Sequence, residues 1–237
     1  MKYDEQYKKD YYDNFAPQFD AHNINADDEH YLALAALEGL IDYLGIGSAL
    51  DVGSGTGRAL LYLGEKKPSL RVHGIEPSDG MRARAVEKGV PLSILTAGGG
   101  TDLPFKDGEF DLVMSYGVLH HIREADKAVA EMMRVAKKAV FISDANYMGQ
   151  GPMPARLLKW GLTKLGLWQA AYKVYTGGKG YWTSPHDGLA YSFSVHNYRK
   201  LLMTRCDRIH YLSTMSSTPN LTLGCSHLAI LALKKEG

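Results

Sequence analysis

The sequence predicts an α/β protein in which helices cover both faces of a mostly parallel sheet. Its 237 residues suffice to bury one sizeable core of this kind. Between residues 48 and 145, short apolar runs typical of buried strands alternate with segments whose apolar residues recur at helical spacing. Such alternation implies right-handed crossovers between parallel strands, and ligands of these sheets bind at the carboxyl ends of the strands.

The elements follow one another in a regular order. The segment DDEHYLALAALEGLIDYLG predicts a helix that Asp27 or Asp28 could cap and Gly45 could end. Five strand patterns come next, in SALDVG, RVHGIE, LSILTA, EFDLVMSYGVLHHI and AVFISDAN. We interpret the fourth of these, EFDLVMSYGVLHHI, as a strand followed by a loop. Helix patterns lie between them in RALLYLGEK, PSDGMRARAVEKG and EADKAVAEMMRVAKK. Polar side chains at or near the strand ends are Asp51, Glu76, Tyr116 and Asp144.

The regular pattern breaks between residues 148 and 192. This segment contains all three tryptophans, Trp160, Trp168 and Trp182, in a helical stretch and the glycine-rich loop that follows it. It could pack a small apolar cluster of its own or cover the ligand edge of the sheet, and we favour a lid because long insertions in compact domains are often functional. The chain then closes with a helix pattern, VHNYRKLLMTRC, and two strand patterns, RIHYLS and SHLAILALKK, which predict a hairpin-like pair.

Composition and charge narrow the classes of function. The formal net charge is only +1, from 27 basic and 26 acidic residues, so no strong field would attract nucleic acid or an anionic membrane. No apolar run approaches the ~18–20 residues of a membrane helix, and the charged N-terminus lacks the apolar core of a signal peptide. Cys206 and Cys225 lie far apart, without the spacing of a metal site. We therefore expect a cytoplasmic protein with free thiols and no bound metal.

The glycine-rich turn DVGSGTGRAL is the strongest local motif. Gly53, Gly55 and Gly57 allow positive φ angles and let the backbone approach a ligand closely, and they leave the first amides of the next helix free for a polar group. A dinucleotide fingerprint would need a third glycine where Arg58 stands. Asp51, just before the glycines, disfavours a pyrophosphate and favours a cationic or amino-bearing ligand.

These residues carry a family resemblance. LDVGSGTGRAL resembles the first motif of class I S-adenosylmethionine-dependent methyltransferases, and GIEPSDGM resembles the acidic motif of their second strand. DLPFKDGEFDLVMSYGVLHHI and EMMRVAKKAVFISD resemble the motifs that follow, so the likeness covers residues 48–146 in order. It implies a Rossmann-like, doubly wound sheet of seven strands, mostly parallel with the last strand antiparallel, and S-adenosyl-L-methionine as cofactor, released as S-adenosyl-L-homocysteine.

The resemblance also implies how one domain is organised. The N-terminal YYDNFAPQFD resembles a segment that folds over the cofactor in many relatives, where a tyrosine, here Tyr11 or Tyr12, reaches the cofactor or the acceptor. The parts of the single domain, residues 1–237, are then an N-terminal helical lid (1–45), a cofactor-binding core (46–147), an acceptor lid (148–192), and a C-terminal helix and strand pair (193–237).

The family's binding roles carry over residue by residue. The loop glycines would pass under the methionine part of the cofactor, Asp51 would serve its amino end, and Glu76 would accept both ribose hydroxyls, since a carboxylate has two oxygens. Ser78 and Met81 could flank the adenine. Relatives commonly carry an aspartate where this chain has Gly99, so adenine recognition falls to the backbone near Thr101, a water or another side chain. The predicted cofactor-binding residues are Tyr11, Asp51, Gly53, Ser54, Gly55, Gly57, Glu76, Pro77, Met81, Gly100, Thr101, Asp102, Ser115 and Tyr116.

The predicted catalytic residues are His120, His121 and Asp144. Both histidines follow the fourth strand, and Asp144 ends the fifth, its neighbour in the order that the resemblance implies. A carboxylate there would orient an imidazole and stabilise its charged form, and this arrangement is similar to that in small-molecule and sugar O-methyltransferases of the group. His120 is the first candidate for a general base, with His121 next. The alternative is that one histidine only caps the following helix.

We therefore expect a methyltransferase that acts on a hydroxyl of a small molecule such as a sugar or secondary metabolite. A C- or N-methyltransferase on the same scaffold, and a cofactor-binding protein that no longer transfers methyl, such as a cyclase or an assembly partner, remain alternatives. A nucleic-acid partner is not expected, because the charge is near neutral and no Asn/Asp-Pro-Pro-aromatic signature follows the fourth strand. No membrane partner is expected, and a homodimer stays compatible with the sequence.

Overall fold

The structure, a computed structural model, describes residues 2–25, 28–185, 187–215 and 218–235, with side chains from residue 6 onward. Asp27 lies outside these ranges. The described residues form nine strands: β1 (Ser48–Val52), β2 (Arg71–Glu76), β3 (Leu95–Ala97), β4 (Phe110–Tyr116), β5 (Ala136–Ala145), β6 (Trp182–Ser184), β7 (Gly188–Ala190), β8 (Cys206–Ser213) and β9 (His227–Lys234). They also form eight α-helices: α1 (Lys2–Asn23), α2 (Glu29–Ile41), α3 (Arg58–Lys66), α4 (Asp79–Glu87), α5 (Ala125–Val135), α6 (Met153–Lys164), α7 (Trp168–Tyr175) and α8 (Arg199–Leu202).

A seven-stranded sheet forms the centre of the fold. Its strand order is β3-β2-β1-β4-β5-β9-β8, and β6 pairs with β7 in a separate small sheet. Strands β1 to β5 pair in parallel, β9 is antiparallel to β5, and β8 is antiparallel to β9. The last strand in the chain is therefore the antiparallel one, which confirms the predicted fold.

Helices cover both faces because the central strands are buried on both sides. Along β4, Val113 belongs to the apolar cluster that includes Met132 of α5, whereas its neighbour Met114 belongs to the cluster that includes Leu34 and Leu37 of α2. Alternate side chains of one strand thus fill two cores, as the pleat requires. No helix in the described part of the chain is long and apolar enough to span a membrane.

Strand register brings the predicted polar residues to one edge of the sheet. Asp51 lies opposite Gly74 of β2 on one side and opposite Met114 of β4 on the other. Tyr116, at the end of β4, lies opposite Ser143 of β5. The carboxyl ends of the parallel strands therefore meet at the same level, where ligands of such sheets bind.

Three helix boundaries differ from the sequence-based expectation. The helix predicted in EADKAVAEMMRVAKK ends at Val135, because β5 already pairs with β4 from Ala136 onward. The single helical stretch predicted in the insertion is broken into α6 and α7 at Gly166, whose φ of 72° ends α6. The helix predicted in VHNYRKLLMTRC is a 3-10 turn, residues 195–198, followed by the short α8, and Ser194 caps the turn by accepting a hydrogen bond from the His196 amide.

Asn146 fastens the loop before β9 to the end of β5. Its side chain is fully buried, donates to the carbonyl oxygens of Thr222 and Cys225 at 2.8 Å each, and accepts a hydrogen bond from the Ser194 hydroxyl at 2.8 Å. Gly149 lies so close to this loop that a Cβ atom would stand 1.8 Å from the Cys225 carbonyl oxygen. The end of β5 and the loop before β9 are thus packed backbone to backbone.

We predict that Gly149→Ala destabilises the protein, because the added methyl group meets backbone that cannot move aside as a flexible side chain would. The expected loss in free energy of unfolding is about 1–3 kcal/mol or more, measured by urea denaturation. Gly161→Ala is the matched control, since a Cβ there meets nothing within 4 Å and the residue lies inside α6. It should leave stability unchanged or raise it by up to about 1 kcal/mol. Equal unfolding midpoints for the two variants would contradict the packing described here.

Candidate active site

A cavity of about 1140 Å³ opens at the carboxyl edge of the sheet. Its wall is built from α1, the glycine turn and the strand ends, the turn after β4, and the insertion. Pockets for drug-sized ligands measure about 300–1,000 Å³, so this cavity has room for more than one small molecule.

The glycine turn forms one part of the wall. Gly53, Gly55 and Gly57 all have positive φ, at 75°, 52° and 82°, as their spacing predicts. A Cβ at Gly55 would meet nothing within 4 Å, whereas one at Gly53 would stand 2.6 Å from the side chain of Val118. Gly55 therefore presents bare backbone to the cavity, and Gly53 allows the turn after β4 to pack against the loop.

Glu76 is a buried carboxylate at the end of β2, only 6% exposed. One of its oxygens accepts a hydrogen bond from the Ser78 amide at 2.9 Å, and the other accepts one from the Gly55 amide at 3.0 Å. Burial raises the pKa of Glu76 above its ordinary value, against the opposing effect of these two bonds. Each oxygen can still accept a second hydrogen bond, so the side chain can receive two neighbouring hydroxyl groups from the cavity.

Asp51 carries an unsatisfied oxygen. It is 3% exposed, and its Oδ1 is buried without a hydrogen-bond partner among the described residues. Burial raises the pKa of Asp51 to about 7; Arg58 opposes the rise and Glu76 adds to it. Because a buried acceptor without a partner is costly, this position on the cavity wall suits a ligand that brings an ammonium or amino group.

Helix α1 lies across the glycine turn and α4. The Asp13 carboxylate accepts hydrogen bonds from the Ser78 hydroxyl at 2.6 Å and the Gly80 amide at 2.9 Å. Asp20 accepts a hydrogen bond from Thr56 at 2.5 Å and pairs with Lys88 at 2.7 Å. Two carboxylates of one helix thus fasten it over the loop and the following helix.

Of the two N-terminal tyrosines, the structure brings Tyr12 to the cavity. Its ring meets that of His121 edge-on, with 5.7 Å between centroids. Tyr11, the predicted cofactor residue, is absent from the described lining; its hydroxyl donates to the Pro185 carbonyl at 2.8 Å, and its ring lies against Gly188. The rotation of α1 about its own axis therefore directs the Tyr11 side chain toward the insertion rather than into the cavity.

The turn after β4 holds His120 against Asp144. Asp144 is fully buried; its Oδ2 accepts a hydrogen bond from the Leu119 amide at 2.8 Å, and its Oδ1 accepts one from His120 Nδ1 at 2.7 Å. Burial alone would lower the pKa of His120, but the charge of Asp144 and its hydrogen bond, together with Asp187, outweigh that effect and raise the pKa to about 10. The same pairing lowers the pKa of Asp144, although burial opposes it.

His121 occupies a different environment from its neighbour. Its Nδ1 donates to the Leu189 carbonyl at 2.8 Å, and its Nε2 lies 3.4 Å from Asp187 Oδ1. Burial and the adjacent His120 lower the pKa of His121. Asp187 Oδ2 lies 3.5 Å from His120 Nε2, so one carboxylate faces both imidazoles, and these side chains are a group that could hold a metal ion.

Sequence reasoning missed Asp187 and His30. Asp187 stands far along the chain in the loop between β6 and β7, and its only signal is that it ends a stretch without acidic residues that begins after Asp144. His30, in the first turn of α2, lines the cavity with Nδ1 3.1 Å from the Ser143 hydroxyl. Burial, with a contribution from Arg58, lowers the pKa of His30 to about 4, so its ring is neutral.

The remaining predicted residues divide into two groups. Those that line the cavity are Ser54, Pro77, Met81, Gly100, Thr101 and Tyr116. Those absent from the described lining, besides Tyr11 and Asp144, are Gly57, Asp102 and Ser115. Gly57 instead stands at the start of α3, Asp102 is exposed, and Ser115 is buried inside the sheet because its neighbour Tyr116 takes the position at the strand end.

The insertion supplies an aromatic part of the wall. Trp168 stacks on Tyr147 with 5.0 Å between ring centroids, and its indole nitrogen donates to the Ser192 hydroxyl at 2.7 Å. Tyr172 and Trp182 line the cavity beside it, whereas Trp160 is outside the described lining. Flat aromatic surfaces with a few polar groups suit a small organic ligand.

Comparison with known proteins identifies the family. Residues 50–142 match the family model described as methyltransferase domain. The chain is 33% identical over 98 residues to ajmaline N-methyltransferase from Rauvolfia serpentina, and the match covers 39% of this chain but only 33% of that protein. It is 31% identical over 168 residues to demethylmenaquinone methyltransferase from Thermobifida fusca (strain YX), which covers 66% of this chain and 67% of the relative.

A solved structure shares the fold. Magnesium protoporphyrin IX methyltransferase from Synechocystis PCC 6803, solved with bound S-adenosylmethionine, aligns with a TM-score of 0.61 over 98% of this chain and 97% of its own, at 16% identity. The sheet order, the family model and the Thermobifida relative agree with the motifs of the sequence and confirm the resemblance. The chain belongs to the class I S-adenosylmethionine-dependent methyltransferases.

Proposed function

We propose that this protein transfers the methyl group of S-adenosylmethionine to a hydroxyl group of a small molecule such as a sugar or secondary metabolite. One observation carries the proposal: the buried carboxylates Asp51 and Glu76 share a single cavity with the His120 and His121 pair and with the aromatic insertion. The carboxylates suit the polar ends of the cofactor, and the rest of the wall suits a separate acceptor.

The residues fit the cofactor. Glu76 would accept hydrogen bonds from the two ribose hydroxyls, and the unpaired oxygen of Asp51 would accept one from the ammonium group. The bare backbone at Gly55 leaves room for the methionine part. Gly99 lines the cavity without a side chain, so the backbone of Gly100 and Thr101 remains to contact the adenine. When bound, the cofactor supplies a methyl group on a positively charged sulfur.

The protein's main task would be to hold the acceptor and exclude water. Positioning of this kind can lower the activation barrier by on the order of 7–11 kcal/mol. In the transfer, a carbon–oxygen bond forms and the carbon–sulfur bond breaks with its electron pair left on sulfur. The hydroxyl proton would pass to the neutral imidazole of His121 or to a water molecule beside it, because the pKa of His120, raised to about 10, leaves that ring already protonated at neutral pH. These side chains favour an acceptor that must lose a proton, which a tertiary amine does not.

The direct test is a methyl-transfer screen. The purified protein is incubated with radiolabelled S-adenosylmethionine and a panel of sugars and hydroxylated aromatic metabolites, and the products are identified by mass spectrometry. We expect an O-methyl ether and S-adenosylhomocysteine in equal amounts. Methylation of a carbon or nitrogen atom would instead support the alternative acceptor classes, and cofactor binding without any transfer would support a role as cyclase or assembly partner.

We predict that Glu76→Gln weakens binding of S-adenosylmethionine about 10- to 100-fold, measured by isothermal titration calorimetry. Hydrogen bonds to a charged group contribute about 1.5–3 kcal/mol, and the substitution removes the charge while keeping the shape. Glu87→Gln is the matched control, because this glutamate of α4 is exposed and pairs only with Arg84 in the described structure. Equal affinities for both variants would remove Glu76 from the proposed site.

We predict that affinity for S-adenosylmethionine rises with pH up to about 7. Asp51, with its pKa raised to about 7, must be ionised to bind an ammonium group, so below that pH the dissociation constant should grow about tenfold per pH unit. The charged and titratable groups around it are Arg58, Glu76 and Tyr116, and burial holds the pKa of Tyr116 well above its usual range. Calorimetry between about pH 5.5 and 7.5, an interval that brackets this pKa, measures the slope.

Asp51→Asn serves as the control for that pH dependence. It should bind the cofactor weakly, with an affinity that changes little over the same interval, because the group that titrates is gone. A slope as steep as that of the unaltered protein would assign the dependence to another group.

We predict that His120→Asn and His121→Asn each lower the turnover number about 10²-fold or more while the dissociation constant of the cofactor stays unchanged. Both imidazoles line the acceptor part of the wall, and neither bonds to Asp51 or Glu76. His210→Asn, at an exposed position of β8, is the control and should retain full turnover. If both variants kept their turnover at saturating acceptor, the histidines would have no part in the transfer.

A further inference from the structure

His120, His121 and Asp187 direct three ligand atoms toward one point on the cavity wall. One ring nitrogen of each imidazole and one carboxylate oxygen of Asp187 lie within 4.8 Å of one another, and the Nε2 atoms are those nearest to Asp187. The two imidazole rings are adjacent, with 3.8 Å between their centroids and a tilt of 46°. All three residues line the cavity, so the point that they face is open to a small molecule.

The distances are those of ligands that share an ion. Nε2 of His120 lies 3.5 Å from one oxygen of Asp187, and Nε2 of His121 lies 3.4 Å from the other. A nitrogen–oxygen hydrogen bond is usually about 2.7–3.2 Å long, so both contacts are long and weak, and Asp187 faces the two imidazoles mainly as an ion-pair partner. Two ligands of one tetrahedral zinc ion, each about 2.0–2.1 Å from the metal, stand about 3.4 Å apart.

The other ring nitrogens are fastened as metal-binding histidines require. His120 Nδ1 donates to the Asp144 carboxylate at 2.7 Å, and His121 Nδ1 donates to the Leu189 carbonyl at 2.8 Å. Histidines that bind a metal nearly always donate their second ring N–H to a carboxylate or a backbone carbonyl, which fixes the tautomer and the ring orientation. Both partners occur here, and they leave both Nε2 atoms facing the Asp187 carboxylate.

We propose that His120, His121 and Asp187 bind a divalent transition-metal ion of the zinc type. Two imidazoles and one carboxylate suit such an ion, whereas magnesium and calcium prefer oxygen ligands. Three protein ligands leave a fourth position open to the cavity, as in catalytic zinc sites. The sequence predicted no metal because the two cysteines lack ligand spacing; the ligands proposed here come instead from the turn after β4 and from the insertion.

The open position would receive the acceptor hydroxyl, a role that rests on the function proposed above. A hydroxyl bound to a divalent cation loses its proton to solvent water more readily than a free one, and its oxygen is then the better nucleophile. At the methyl carbon, the bond to the acceptor oxygen would still form as the bond to sulfur breaks, as in the transfer without a metal. Binding of the metal itself depends only on the three side chains and requires neither cofactor nor acceptor.

The test uses zinc ion as the probe and the full chain without an affinity tag. After dialysis against a chelator, calorimetric titration with zinc sulfate should give one site in the unaltered protein. Asp187→Asn and His121→Ala should each weaken that site at least about 100-fold, and Asp144→Asn, which loosens His120 only indirectly, about 10- to 100-fold. Asp207→Asn and His210→Ala, both at exposed positions of β8, are matched controls and should bind zinc unchanged.

A second measurement guards against misfolded variants. Cobalt(II) replaces zinc in each protein, and the visible absorption of four-coordinate cobalt should appear in the unaltered chain and the controls but be lost in Asp187→Asn. Cofactor titration of the same samples reports whether each variant is folded. Zinc binding that is absent, or equal in all variants, would overturn the metal site even where cofactor binds normally; loss of cofactor binding in a chain that still binds zinc would overturn the proposed function alone.

Discussion

The arrangement of the site depends on compensating one fully buried charge, the carboxylate of Asp144. Removing a carboxylate from water costs several kcal/mol unless donors surround it, which here are the amides of Leu119 and Ala145 and the imidazole of His120. The turn after β4 must therefore bring a backbone amide and an imidazole to the end of β5. The conformation of this turn fixes the orientation of the His120 side chain. It also leaves the His120 carbonyl oxygen free to accept a hydrogen bond from the Tyr191 amide, and this bond attaches the insertion to the core.

The fold, the glycine turn and the buried carboxylate at the end of β2 could be predicted because their signals are local. Strand and helix patterns alternate along the chain, the glycine turn needs positive φ within a few residues, and Glu76 directly follows the apolar run of its own strand. Parallel pairing then brings the ends of separate strands to one edge without further information. The order of the strands came from the family resemblance rather than from these patterns.

The meeting of His120 with Asp144 follows from the strand order that the resemblance implies, whereas the approach of Asp187 to the histidines could not be predicted, because it depends on tertiary packing alone. Asp187 comes from a loop of the insertion, and nothing near it in the sequence points to the histidines. The choice between Tyr11 and Tyr12 depends on the rotation of α1 about its axis, which contacts on α4 decide. Helical periodicity also gave the wrong boundary where strand pairing competes with it: the helix pattern continues past Ala136, but that residue already pairs with β4 as part of β5. Local patterns thus describe the half of the site built from consecutive residues.

The contact between Gly53 and Val118 links those two halves mechanically. A Cβ at Gly53 would stand 2.6 Å from the Val118 side chain, and Val118 directly precedes the turn that carries the histidines. The glycine loop and the turn that carries the histidines therefore cannot change independently during evolution. A larger residue at either position would require a smaller one at the other, and since φ at Gly53 is 75°, the valine is the partner with freedom to change. Among homologous chains, the volume at position 118 should accordingly vary within a narrow range set by its neighbour.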